Sequence, residues 1–194
     1  MKWISLGSSC QPAYWIRNYI KQPEAYFFDW LITPPKALVK VLEEGIDSLL
    51  LSSNISIHHR GIRVVDDFYA LEFQHDFPED SKGIILPGYE SKLESVREKY
   101  ARRYQRMMDV INAENNTFLR YGDQLQAIEK LIPTLNGLLG VNNVYVFISH
   151  HITEFEERGN VYLFPCGLVD DWRGDNEAWL LLLDTMQKKL GNDE

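Results

Sequence analysis

Cysteine is scarce in this chain: Cys10 and Cys166 are the two among 194 residues. Two thiols are too few for a disulfide framework, so the fold must be held by its core. Long apolar runs are missing as well. None approaches the roughly 18 residues of a membrane-spanning helix. The N-terminus lacks the basic region, apolar stretch and small-residue site of a signal peptide. A reducing cytoplasm with both thiols free is the expected setting. Net positive charge is absent too. A formal charge of −8 and a pI of about 5.2 argue against general nucleic-acid binding and against docking on an anionic membrane. The expected partner is a small-molecule or peptide substrate, which the charge does not identify. Neither a Walker lysine nor a three-glycine dinucleotide fingerprint occurs. No zinc-type spacing joins the five histidines to the two cysteines. No cofactor and no metal are therefore expected.

What is present is an ordinary globular composition, 45% hydrophobic and 25% charged. A chain of this length fits one domain, taken here as residues 1–194. It can bury about 70% of the surface that its unfolded form would expose. Residues 2–7 read as a buried strand, and Gln11 to about Tyr19 as a short helix with Pro12 in its first turn. An aromatic cluster, Tyr26 to Trp30, precedes the structure-breaking Pro34-Pro35. Lys36–Glu44 reads as a helix stopped by Gly45. Ile55–Val65 and Phe68–Phe73 alternate as strands, turned at Asp66-Asp67. Tyr89 to Ala113 is the clearest helix: Leu93, Val96, Tyr100, Tyr104, Met107, Met108 and Ile111 recur at three-to-four spacing. Then follow a strand at Thr117–Arg120, a helix at Gln124–Leu139 with Pro133 inside it, and strands at Val144–Ser149 and Val161–Phe164. A helix at Ala178–Leu190 closes the pattern. This order favours an α/β fold with a mostly parallel sheet flanked by helices, Rossmann-like in three layers, with an antiparallel insertion around residues 55–88.

Open parallel sheets bind ligands beyond the carboxyl ends of their strands. Each strand end here carries polar groups. The first ends at Gly7-Ser8-Ser9-Cys10, the Thr117 strand at Arg120, the Val144 strand at His150 and His151, and the Val161 strand at Cys166, followed by Asp175. Cys10 joins a glycine turn to a helix start, where the helix dipole favours thiolate over thiol. It is read as a nucleophile, a buried small hydrophobe or a ligand contact; the residues alone leave these open. Cys166 reads as packing. Ser8 and Ser9 offer backbone N–H groups to an anion. The basic run Lys99 to Arg106 is a solvated helix face or turns one arginine, Arg103, inward to hold a carboxylate, and Arg120 offers a guanidinium at its strand end. Gly7-Ser8-Ser9 also resembles the serine turn of SGNH-type hydrolases. Their late Asp-x-x-His pair is missing, because no histidine follows His151. His75, in a loop between Gln74 and Asp76, and the His150-His151 pair are the rival bases. Asp29, an acid inside an aromatic cluster, must be paired or capped; it caps the next element or orients a catalytic group.

Several segments together resemble a bacterial family known as domain of unknown function 1796, described as papain-like cysteine peptidases. They are Leu6-Gly7-Ser8-Ser9-Cys10, Phe28-Asp29-Trp30, His75-Asp76-Phe77, Tyr100 to Arg103 and Phe118-Leu119-Arg120, with Trp172 to Asp175 extending the likeness. The resemblance implies Cys10 as nucleophile, His75 as its base and a later acid as orienter. It also implies a cysteine at a helix start and a histidine drawn from an antiparallel sheet. The expected function is a cysteine-dependent hydrolase or acyltransferase. Cys10, His75, Asp29 and Asp175 would be catalytic, and Ser8, Ser9, Arg103, Arg120 and His150 would bind substrate. The alternative is a non-catalytic or transferase-like domain that binds a sugar or phosphate on the same rim.

Overall fold

The computed structural model describes residues 1–191. In chain order the elements are β1 (Trp3–Ser5), α1 (Gln11–Trp15), β2 (Leu31–Ile32), α2 (Pro35–Glu44), β3 (Ile55–His58), β4 (Arg63–Asp66), β5 (Leu71–Phe73), α3 (Leu93–Ala113), β6 (Thr117–Tyr121), α4 (Leu125–Leu139), β7 (Val144–Ser149), β8 (Glu156–Arg158), β9 (Val161–Pro165) and α5 (Asn176–Gly191). The strands form two sheets. In the larger one β1, β6, β7 and β9 run parallel in that order, and β8 closes the far edge antiparallel to β9. The smaller sheet, ordered β2-β5-β4-β3, is antiparallel throughout. The fold is thus mixed α/β; three antiparallel strands fall in the expected insertion at residues 55–88, and the fourth, β2, joins them from outside it.

Strand alternation sends neighbouring side chains to opposite faces. In the larger sheet Ile4, Phe118, Tyr145, Phe147 and Leu163 belong to one core cluster, with Leu38 of α2, Tyr100 of α3, Leu131 of α4 and Leu71 and Phe73 of the smaller sheet. Trp3, Leu119, Val146, Ile148 and Phe164 belong to the other, with Trp15 of α1 and Trp179 and Leu183 of α5. Apolar groups on both faces are what a parallel sheet covered on both sides requires. The α3 stripe is as the spacing predicts: Leu93, Val96, Tyr100 and Met107 are buried, and Tyr104, Met108 and Ile111 pack against the same cluster.

Three local readings need correction. Ile55–Val65 is two strands, β3 and β4, because His59, Arg60 and Gly61 all take positive φ and reverse the chain. The next reversal lies beyond Asp66-Asp67, because the Asp66 carboxylate accepts the N–H groups of Phe68 and Tyr69 and organises the turn there. The helix after Cys10 is α-helical for five residues only and then widens into a π-turn at Ile16–Ile20. β8 escapes the alternation rule because all three of its residues are charged, which suits an edge strand that must not pair further. Among the described residues no helix is long and apolar enough to cross a membrane.

Candidate active site

The turn that carries Cys10 is built from strained backbone. Leu6 extends β1 by donating its N–H to Leu119, 2.9 Å away. Gly7 and Ser8 then both take positive φ, 73° and 75°. A side chain at position 7 would bring its Cβ within 2.6 Å of Thr33 Oγ1, so glycine is required there for space as well as for φ. Ser8 donates its hydroxyl to the Tyr121 carbonyl, tying the turn to the end of β6. Ser9 Oγ accepts the Gln11 N–H at 3.3 Å, and the Cys10 carbonyl accepts the Tyr14 N–H at 3.0 Å. Cys10 therefore stands at the start of α1, half-buried. Burial pushes its thiol upward from the ordinary value; nearby Arg63 pulls it down and Asp76 pushes it up. Desolvation is the largest of these influences, so the thiol is shifted opposite to the direction that the helix dipole favours.

Of the three histidines proposed as bases, His75 meets the sulfur. Its Nε2 lies 3.5 Å from Cys10 Sγ. His75 arrives from the smaller, antiparallel sheet, two residues beyond the end of β5. The carboxamide of Gln74 is 4.0 Å from the same sulfur. Asp76 anchors the loop from the other side. Its carboxylate, 3% exposed, pairs with Lys99 and accepts the buried Tyr100 hydroxyl at 2.9 Å. One turn of α3 thus holds the segment that presents His75. Trp30, itself at a positive φ of 68°, sets its indole against the imidazole edge-to-face at 6.4 Å.

These residues surround a cavity of about 800 Å³, lined by Ser9, Cys10, Trp30, Gln74, His75, Asp76, Lys99, Tyr100, Arg103 and Trp172. Trp172, 58% exposed, sits on the loop after β9, against Tyr14 of α1. The loop is fastened by the Trp15 indole, which donates to the Arg173 carbonyl at 2.8 Å. Gln74, Asp76, Trp30, Lys99 and Trp172 have no assigned role in the sequence reading. Asp76, Trp30 and Trp172 fall inside the segments that carry the family resemblance, but their convergence is a tertiary fact.

Other predicted site residues lie elsewhere. Asp29 accepts the Tyr26 N–H at 3.0 Å and caps its own turn. Burial pushes its carboxyl up to about 7, with Arg103 and Arg17 pulling the other way. Asp175 accepts the N–H groups of Gly167 and Ala178 at 2.7 and 3.2 Å; it caps α5, and those amides hold its carboxyl low. Among the described residues neither acid is hydrogen-bonded or ion-paired to His75. Both carboxylates accept backbone amides, the capping alternative that the sequence reading gave for Asp29. Arg120, 1% exposed, donates to the carbonyls of Leu6 and Thr33 at 2.6 and 2.9 Å and pairs with Asp123. It clamps β1 to β6, and its donors point into protein. The rings of His150 and His151 lie tilted against each other with centroids 3.9 Å apart, and neither lines the cavity. They leave β7, two strands from β1, about 10 Å across the sheet. Cys166, a third strand away, has its thiol pushed up to about 11 by burial and by Asp175. Both cysteines are free. Among the described residues no three His, Cys, Asp or Glu side chains are grouped to hold a metal ion.

The arrangement sets a thiol beside an imidazole in a cavity, a pairing that can support covalent acyl chemistry. No curated protein and no solved structure matches the chain. A family model described as "Putative papain-like cysteine peptidase (DUF1796)" matches residues 1–150, the greater part of the chain, which belongs to that family.

Proposed function

We propose that the protein is a cysteine-dependent hydrolase in which Cys10 and His75 act as a dyad. The observation that carries this reading is the 3.5 Å separation of Cys10 Sγ and His75 Nε2, in a cavity of about 800 Å³. His75 takes the thiol proton as the sulfur attacks a substrate carbonyl carbon. The tetrahedral oxyanion then collapses to a thioester. His75 returns the proton to the departing amine or alcohol, and water, losing its proton to His75, cleaves the thioester to a carboxylic acid. Among the described residues the N–H groups of Ser9 and Cys10 have no hydrogen-bond partner, so they are available to the oxyanion. Asp76 and Trp30 are positioning residues for the imidazole. Because burial disfavours a free thiolate, the base must act during attack rather than before it.

The same thioester handed to an amine or alcohol instead of water gives acyl transfer, so hydrolysis and transfer share every step up to that point. The wider frame, helices over both faces of a parallel sheet, supports a Rossmann-like three-layer reading, with residues 1–194 as one domain. A binding module that uses Cys10 for packing alone would need no histidine beside the sulfur. The test is trapping of the acyl-enzyme. With p-nitrophenyl acetate, intact-mass analysis and peptide mapping should find an acetyl group on Cys10. It should be lost in Cys10→Ala and form at least about 10²-fold more slowly in His75→Ala. Equal acetylation of wild type and His75→Ala overturns the dyad.

A further inference from the structure

The cavity beside Cys10 shares a wall with a second, more open groove of about 500 Å³. Lys99 and Arg103 line both, and Arg102, Arg106 and Glu24 line the groove. Together the two linings hold four cations against two carboxylates, Asp76 and Glu24. In a chain of net charge −8 this is a local reversal of sign.

Three of the four cations are already engaged. Lys99 is paired with Asp76, Arg106 donates to the Ala25 carbonyl at 2.8 Å, and Arg102 lies 3.9 Å from Glu98 on the exposed face of α3. Arg103 differs. It is half-buried, its guanidinium rests on the Tyr100 ring at 5.2 Å, and no described residue gives it a hydrogen bond or an ion pair. The nearby Asp29 carboxylate feels the Arg103 charge but accepts its hydrogen bond from the Tyr26 N–H. A partly desolvated guanidinium without an acceptor is an unusual thing to keep in a cavity wall. Its planar fork matches a carboxylate, and resting on an aromatic ring fixes its orientation.

We infer that Arg103 recognises a carboxylate on the substrate, so that the acyl group presented to Cys10 is carried by an anionic molecule. This rests on Cys10 being the nucleophile of the site. Arg103 sets specificity, and the groove's other cations draw the anion in.

Iodoacetate and iodoacetamide test this, because they differ only in the carboxylate. The ratio of their alkylation rates at Cys10, mapped by peptide mass, is compared with the ratio for 2-mercaptoethanol. The wild-type ratio should exceed that of 2-mercaptoethanol by about tenfold at low salt, the size expected of one charge-assisted contact. It should fall with added salt. Arg103→Gln should bring it back to the 2-mercaptoethanol value, and Arg103→Lys should keep part of it. Arg158→Gln, an equal change of net charge on β8, should leave it alone. A wild-type ratio equal to that of 2-mercaptoethanol, with iodoacetamide labelling still dependent on His75, overturns the carboxylate site and leaves the dyad standing. If neither reagent labels Cys10, the dyad fails instead. Succinate titration of the tryptophan fluorescence, with Trp30 and Trp172 in the cavity wall, then decides on its own. A saturable change in wild type but not in Arg103→Gln supports the site, and no change in wild type overturns it.

Discussion

Replacing Asp29 with Asn should stabilise the protein at neutral and alkaline pH and do little in acid. The carboxyl is buried and pushed from 3.8 up to about 7. Below about pH 4 it is protonated in both folded and unfolded chains, and contributes nothing. Between about pH 4 and 7 the folded chain keeps a proton that the unfolded chain has lost, so stability falls as pH rises. Above about pH 7 the full cost of a buried charge is present. A shift of about three units at about 1.4 kcal/mol each gives roughly 4 kcal/mol. Asparagine keeps an oxygen to accept the Tyr26 N–H, and it carries no charge at any pH. Between pH 5 and pH 8 the wild type should therefore lose about 3 kcal/mol more than Asp29→Asn. Urea denaturation of both proteins at the two pH values measures this double difference. A value under about 1 kcal/mol would refute the assignment of a strained, buried carboxyl. The same variant separates cap from orienter. Alkylation of Cys10 should stay within about twofold of wild type, whereas an acid orienting His75 would cost roughly 10²-fold.

Three further outcomes follow from the geometry. Gly7→Ala should lose about 2–4 kcal/mol in denaturant unfolding, from positive φ and from the clash with Thr33; a loss below about 0.5 kcal/mol would show the turn to be pliable. Arg120→Met should cost about 3–5 kcal/mol, because Asp123 and two carbonyls lose a buried partner; a neutral result would mean that the clamp is dispensable. Arg63→Gln should move the pH profile of Cys10 alkylation upward, since the Arg63 charge pulls the thiol down; an unmoved or lowered profile would deny that coupling.

Much of the frame was legible in the sequence. The apolar runs at Thr117, Val144 and Val161 and the helices between them dictate parallel strands, and the α3 stripe names its own buried face. Cys10 stood out because a glycine turn between strand and helix leaves a thiol at the join. The carboxyl rim of the sheet was less informative. It gathered His150, Cys166, Asp175 and Arg120 at the strand ends, where most of them do structural work. The histidine beside Cys10 comes instead from the second sheet, whose docking beside β1 depends on apolar contacts far apart in sequence, such as Phe73 against Tyr100. The family resemblance pointed to His75 where periodicity had no means to. Asp29 shows the remaining gap. Sequence can say that a buried acid needs a partner, but not whether that partner is an imidazole or a backbone amide.

Activation of Cys10 by His75 is read out by the pH dependence of iodoacetamide alkylation at Cys10 in wild type and His75→Ala. In wild type the rate at pH 7 should exceed that of the variant by about 10²-fold. Without the imidazole the thiol should react only at high pH, because burial raises it above 9.0. Superimposable profiles for the two proteins would contradict the account.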